Sequence, residues 1–310
     1  MNNKMAYFNG RSMFCGIGIS MLFSLTGSSF WIAGILGTII GCLLLSFVKS
    51  VNDNKIIKTI GGFILATVSL IILVNMGHSL YLKETPLSIL TIGALLPIYY
   101  ISRSKKGPLK KTVYIFFIYS IILFFLKIIG LYSHISIENM LPIYPIDVNN
   151  VIIGMLMYAI LGVVPIMSLN DLKEKRSIIC NYLISSLTIL TVSFLAISVL
   201  GSMEVKLYRY PEYIVLKKIE FLNFVNNVDS FFNFAIILDL VFTTSAGIRN
   251  IEIDSKYIKV FLVLFIGIIT HLACKENWIL LLIYKYIPFV LIILLILLLI
   301  PKKSTYKKSE

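Results

Sequence analysis

The sequence predicts an all-α polytopic membrane protein with about ten transmembrane helices, arranged as a 5+5 inverted repeat. Three observations carry this expectation. The chain of 310 residues is 58% hydrophobic and only 14% charged, with a mean hydropathy of +0.92, a balance foreign to soluble globular domains. Its apolar residues fall into ten runs, roughly 12–28, 30–48, 60–81, 87–101, 112–131, 148–169, 177–200, 230–247, 258–273 and 278–300. About 20 helical residues cross the ~30 Å hydrocarbon layer, so most runs are long enough, while 87–101 and 258–273 are short for a span. Finally, of the 28 Lys and Arg, 20 fall in alternate loops on the face shared by both termini, six fall on the other face, and Lys127 and Lys285 lie within spans. That bias puts both ends in the cytoplasm, and it explains the net charge of +13 by membrane orientation instead of nucleic-acid binding.

Taken in order, the first run reads SMFCGIGISMLFSLTGSS, with Gly16, Gly18 and Gly27 interleaved with Ser20, Ser24 and Thr26. Lys4 and Arg11 precede it as in a signal peptide, but the alternation of charged loops requires the run to be retained. Trp31 and Trp278 fall at the outer ends of the second and tenth spans, where indole rings anchor at the interface. In the third span, Asn75 and His78 share a helix face. Lys127 is near the outer end of the fifth span and is expected to snorkel, whereas Lys285 sits deeper and either pairs internally or serves as a functional cation.

The sixth run, Asp147–Leu169, carries Gly154, Gly162 and Pro165. With five spans per half, it is the inverted partner of the first. Glycine-interrupted segments at corresponding positions point to a midplane substrate site between two broken helices, one and six. Backbone around Gly16, Gly18, Gly154 and Gly162 is the expected ligand contact, because N–H groups freed by unwinding can bind a carboxylate. Ser20 and Tyr158 are the side-chain candidates, Tyr158 being equally suited to interhelical packing. Asp239 lies near the centre of the eighth span with Thr243 one turn on. A carboxylate there is expensive unless it faces a cavity or partner, so the pair is the candidate ion or proton site, with Lys127 or Lys285 as possible counter-charges.

The loop 201–228 holds an expected amphipathic helix opened by Pro211, with Val215, Leu216, Ile219, Leu222 and Val225 on one face and Glu212, Lys217, Lys218 and Glu220 polar. It is either a connector lying on the outer surface or a lid over a vestibule. The whole chain 1–310 then forms one transporter-like domain, with a first repeat over about 12–131, a second over about 148–300 and a cytoplasmic tail at 301–310. Cys15, Cys42, Cys180 and Cys274 are scattered, and His78, His134 and His271 form no ligand spacing, so no metal or disulfide framework is expected. No nucleophile elbow, P-loop or HExxH occurs, and neither an enzyme nor a cofactor is expected.

Several short segments resemble one family. Asn139-Met140-Leu141-Pro142 before the sixth span is similar to the N-L-L-P of spore germination permeases, the GerB-type integral subunits of nutrient germinant receptors. Tyr210-Pro211 followed by VLKKIEFLNFVNNVDSFF, Ser29-Phe30-Trp31-Ile32 followed by GILGTIIG, and Thr85-Pro86 before the fourth span resemble the same family in order and spacing. The resemblance implies the amino acid–polyamine–organocation transporter fold with spans one and six unwound around the ligand, and the 211–225 helix as outer lid between spans seven and eight. It implies the inner spore membrane and two partners, a larger membrane subunit and a lipoprotein. In that superfamily span eight also lines the coupling-ion site, where Asp239 falls. The expected function is a germinant receptor subunit that binds a small nutrient, an amino acid, and triggers germination. The alternatives are a secondary amino acid transporter coupled to H⁺ or Na⁺, and a structural subunit with a vestigial site.

Overall fold

The computed structural model describes residues 3–47, 55–140, 147–169, 174–219, 229–251 and 255–300. Among these there are only helices and connections, with no strand. The helices are α1 (Met5–Ser12), α2 (Ile19–Thr26), α3 (Phe30–Phe47), α4 (Lys55–Met76), α5 (Leu87–Arg103), α6 (Lys106–Leu131), α7 (Val148–Leu169), α8 (Lys175–Leu200), α9 (Ser202–Leu207), α10 (Pro211–Leu216), α11 (Asp229–Asn250), α12 (Lys256–Lys275) and α13 (Asn277–Leu299). Eight helical segments are long and apolar enough to cross a bilayer, with α5 a shorter apolar helix of 17 residues. The chain is thus an all-α, multi-pass membrane protein.

Two layers are visible in the burial pattern. The helices α1, α4, α7, α8 and α11 pack on one another in the interior, while α5, α6, α12 and α13 present large apolar side chains outward, such as Leu96, Ile115, Phe261 and Phe289. In a bilayer those faces meet lipid at no cost. Interior polar groups must be satisfied within the protein, so hydroxyls turn back onto their own helix: Thr38 donates to the Gly34 carbonyl (2.8 Å), Ser69 to Leu65 (2.5 Å) and Ser193 to Ile189 (2.8 Å). Small residues let backbones close up. A Cβ placed on Gly62 would lie 2.6 Å from the Gly247 carbonyl oxygen, and one on Gly247 would lie 2.7 Å from that of Gly62, so α4 and α11 touch main chain to main chain.

The first helical segment starts earlier than expected, at Met5, and all of α1 is buried. It is broken between α1 and α2. Cys15 (φ −64°, ψ 121°) and Gly16 (φ 77°, ψ −12°) leave the helical region, and the Gly18 amide reaches back to the Met13 carbonyl at 3.1 Å across the kink. The sixth segment differs from expectation. Helix α7 runs without interruption through Gly154, Gly162 and Pro165. Its glycines are used for packing: a Cβ on Gly154 would strike Thr26, and one on Gly162 would lie 2.8 Å from the Tyr182 ring. Ser168 adds its own bond to the Val164 carbonyl at 2.8 Å beside the proline. The expectation of two broken helices is corrected to one.

Candidate functional site

The break places polar and charged side chains in the middle of the apolar interior. Arg11, at the end of α1, is 5% exposed, and its guanidinium pairs with the Asp239 carboxylate of α11 at 3.1 Å; Asp239 is fully buried. Arg11 also donates to the Tyr7 hydroxyl and to Ser120 Oγ of α6 at 3.0 Å, so three helices grip one cation. The Cys15 thiol donates to the same Asp239 oxygen at 3.7 Å. One turn further along α11, the Thr243 hydroxyl donates to Asn9 Oδ1 at 3.2 Å and turns away from Asp239. Lys127 of α6, also 5% exposed, lies within electrostatic reach of Arg11, Asp239, Cys15 and Glu212.

The second acid of the cluster comes from the connection after α8. In α10, Pro211, Glu212, Tyr213, Val215 and Leu216 are buried, and Glu212 Oε1 accepts the freed Gly16 amide at 2.8 Å. Burial pushes the Glu212 carboxyl up to about 7, against the bonds from its own and the Gly16 amide. Tyr210 packs directly over Gly16 and accepts from the Asn75 amide, which also donates to the Tyr284 hydroxyl at 3.2 Å. The Arg209 guanidinium lies 4.5 Å from the Tyr284 ring centroid. Together these residues roof the break. Four buried polar atoms around it have no hydrogen-bond partner among the described residues: Asn9 Nδ2, Arg11 Nε, Asp239 Oδ1 and Glu212 Oε2. Two acids and two bases in an apolar interior, with two donors and two acceptors left over, can bind a small zwitterion or anion.

The expected site residues divide accordingly. Gly16 and Asp239 meet at the break, and Gly18 closes its turn. The Ser20 hydroxyl instead donates to the Tyr208 carbonyl at 3.3 Å, tying α2 to the roof. Tyr158 is fully buried, donates to the Ser186 carbonyl at 3.0 Å and packs on Phe14 with centroids 4.6 Å apart, which is the interhelical role. Gly154 and Gly162 face Thr26, Tyr182 and Phe14 side chains. The two lysines exchange their expected places: Lys127 is buried in the cluster, and Lys285 is exposed on α13. Neither is the partner of Asp239 in an ion pair; Arg11 is. Among the described residues no group of His, Cys, Asp and Glu could hold a metal ion. The surface-lying amphipathic helix is corrected to a six-residue buried helix that seats Glu212 inward, because its apolar faces are covered by α8 and α11. The expected positions Leu222 and Val225 lie outside the described residues.

Arg11, Cys15 and Glu212 were not among the expected site residues, while Lys127, expected as a counter-charge of Asp239, joins the cluster without pairing with it. Arg11 hides at the edge of an apolar run, yet Met5–Phe8 before it are apolar too. The polar quartet Asn9–Ser12 is therefore an interruption within a span, and reading it so would have exposed it. Residues 57–261 match the model of the family described as spore germination protein. No curated protein matches the chain.

Proposed function

The chain belongs to the spore germination protein family, and we propose that it is the integral subunit of a spore nutrient germinant receptor, seated in the inner spore membrane with a larger membrane subunit and a lipoprotein. The family is one of permease and receptor type, not an enzyme family. The nutrient is a small amino acid. The observation that carries this reading is the break at Cys15–Gly16, opening onto the buried Arg11–Asp239 pair. The Gly16 amide and Lys127 suit a carboxylate, and the unpartnered Asp239 Oδ1 suits an ammonium. An α-amino acid carries both groups at one carbon.

Receptor action needs only that the ligand prefer one of two states, not that it cross the membrane. The test is binding and uptake by the purified chain in lipid. Saturable binding of labelled amino acids to nanodiscs, with no accumulation in proteoliposomes under an imposed Na⁺ or H⁺ gradient, is the expected result. Gradient-driven accumulation would make the protein a secondary transporter, and absence of binding to the chain together with its partner subunits would leave the site vestigial.

A further inference from the structure

We infer that Glu212 is a built-in carboxylate ligand of the broken helix, occupying the Gly16 amide that a small monocarboxylate takes once α10 swings away. The inference rests on the reading of the break as a ligand site and names the regulation of that site.

Kinking at Cys15 and Gly16 frees the Gly16 N–H, and nothing in α1 or α2 receives it; the acceptor is Glu212 Oε1, 196 residues away in sequence, at 2.8 Å. A buried main-chain donor needs a partner, so some acceptor must always be there. The one supplied is chemically a carboxyl group on a short stem. It is also poorly held. Glu212 is 3% exposed, yet Oε2 has no hydrogen-bond partner among the described residues. A carboxyl buried with one oxygen unsatisfied is costly compared with the same group in water. An incoming carboxylate that keeps the Gly16 bond replaces this half-satisfied group, and Lys127, within electrostatic reach of Glu212, offsets its charge. The carrier is suited to leave: α10 has only six residues and is followed by the exposed Lys217 and Lys218. Beside the site it is tied through Tyr210 to Asn75, and its buried apolar residues pack on α8 and α11.

Cys15 reports directly on this position, because its thiol is 3% exposed and adjoins Gly16. The experiment uses the full chain in nanodiscs with Cys42, Cys180 and Cys274 replaced by serine, and follows the rate of Cys15 alkylation by N-ethylmaleimide. Glu212→Ala is expected to accelerate labelling by about tenfold. Acetate should return it towards the parent rate, and acetamide at the same concentration, which offers an acceptor oxygen but no charge for Lys127, should protect less. Glu212→Gln, which keeps the length and an acceptor oxygen, should label as slowly as the parent. Should Glu212→Ala fail to fold, Glu212→Asp decides the matter: its carboxyl falls short of Gly16, so labelling should again rise and acetate should suppress it. The inference is overturned by parent-like labelling of the alanine or aspartate variant, by no effect of acetate, or by equal protection from acetamide. Acetate protection in a chain that binds no amino acid would keep the inference and remove the receptor reading. Amino acid binding with no acetate effect would do the reverse.

Discussion

The segment α1–α2 and the helix α7 share the same sequence signature, glycines spaced through an apolar run, yet one breaks and the other does not. In the first, Gly16 adopts φ 77°, and the freed amide meets Glu212. In the second, Gly154 and Gly162 stay helical and give their missing side chains to Thr26, Tyr182 and Phe14, even with Pro165 present. Glycine permits a break, but a break persists in an apolar interior only where polar partners receive the backbone it releases. Glu212 from α10, which takes the Gly16 amide, and Asp239 from α11, which takes the Arg11 and Cys15 side chains, come from far along the chain and crowd one segment alone.

The difference can be attacked where it is largest. Removing one member of the buried pair, as in Arg11→Met or Asp239→Leu, strands the other charge and should cost ~3–5 kcal/mol, seen as loss of folded protein or a much lowered melting temperature. The double variant Arg11→Met/Asp239→Leu should recover most of the stability while abolishing any amino acid binding. If the double variant were as unstable as either single one, the cost would not come from a stranded charge.

Pro165→Ala restores a backbone donor in α7 and should stabilise the chain by up to ~3 kcal/mol without changing ligand response. A lost response would mean that α7 opens during function, making the two segments alike after all. The glycines separate next. Gly16→Ala forces a side chain to positive φ and should cost ~1–2 kcal/mol, and Ile72→Ala, which removes the nearest neighbour, should not relieve it. Gly162→Ala should cost ~1–3 kcal/mol by overpacking, and that cost should shrink in a Tyr182→Leu background. Thermal unfolding of the parent, the four single variants and the two double variants reads both couplings.

The smallest effect is with pH. Glu212 is raised from 4.5 to about 7 where it is docked, so the docked state holds a proton that the released state gives up. Docking is therefore fully favoured at acid pH and weakens as pH rises through about 7. The groups facing it are Lys127 from α6, Cys15 from the break and Tyr210 beside it, with Asp239 of α11 beyond Cys15. Cys15 labelling, normalised to Glu212→Gln at each pH, should rise between about pH 4.5 and pH 7 and level off above that. A flat ratio would show that α10 does not respond to its own carboxyl.

How much of this was legible in the sequence follows from the range of each interaction. The all-α membrane class rests on composition and run length, which are local, and the segment boundaries of most helices followed within a few residues. Asp239 stood out because a carboxylate in an apolar run has no local explanation. Gly16 stood out, but so did Gly154 and Gly162, since only tertiary packing decides which glycine bends and which one packs. Glu212 looked like the polar face of a surface helix because periodicity says which residues share a side, not which side is covered. Lys127 and Lys285 were exchanged for the same reason: depth along a helix is readable from the sequence, but rotation about its axis is not.

The close seating of α4 against α11 has a mechanical consequence. With each glycine carbonyl lodged where the other helix lacks a side chain, and Ser69 bonded to Thr244 at 2.7 Å, the two helices resist sliding and travel as one stiff beam. Asp239 rides on one member of that beam and Asn75, which grips Tyr210, rides on the other. A change of charge on the carboxylate need not be relayed through intervening loops to reach the residues above Gly16. Whatever tilts the beam at its charged midpoint also moves the latch near its end.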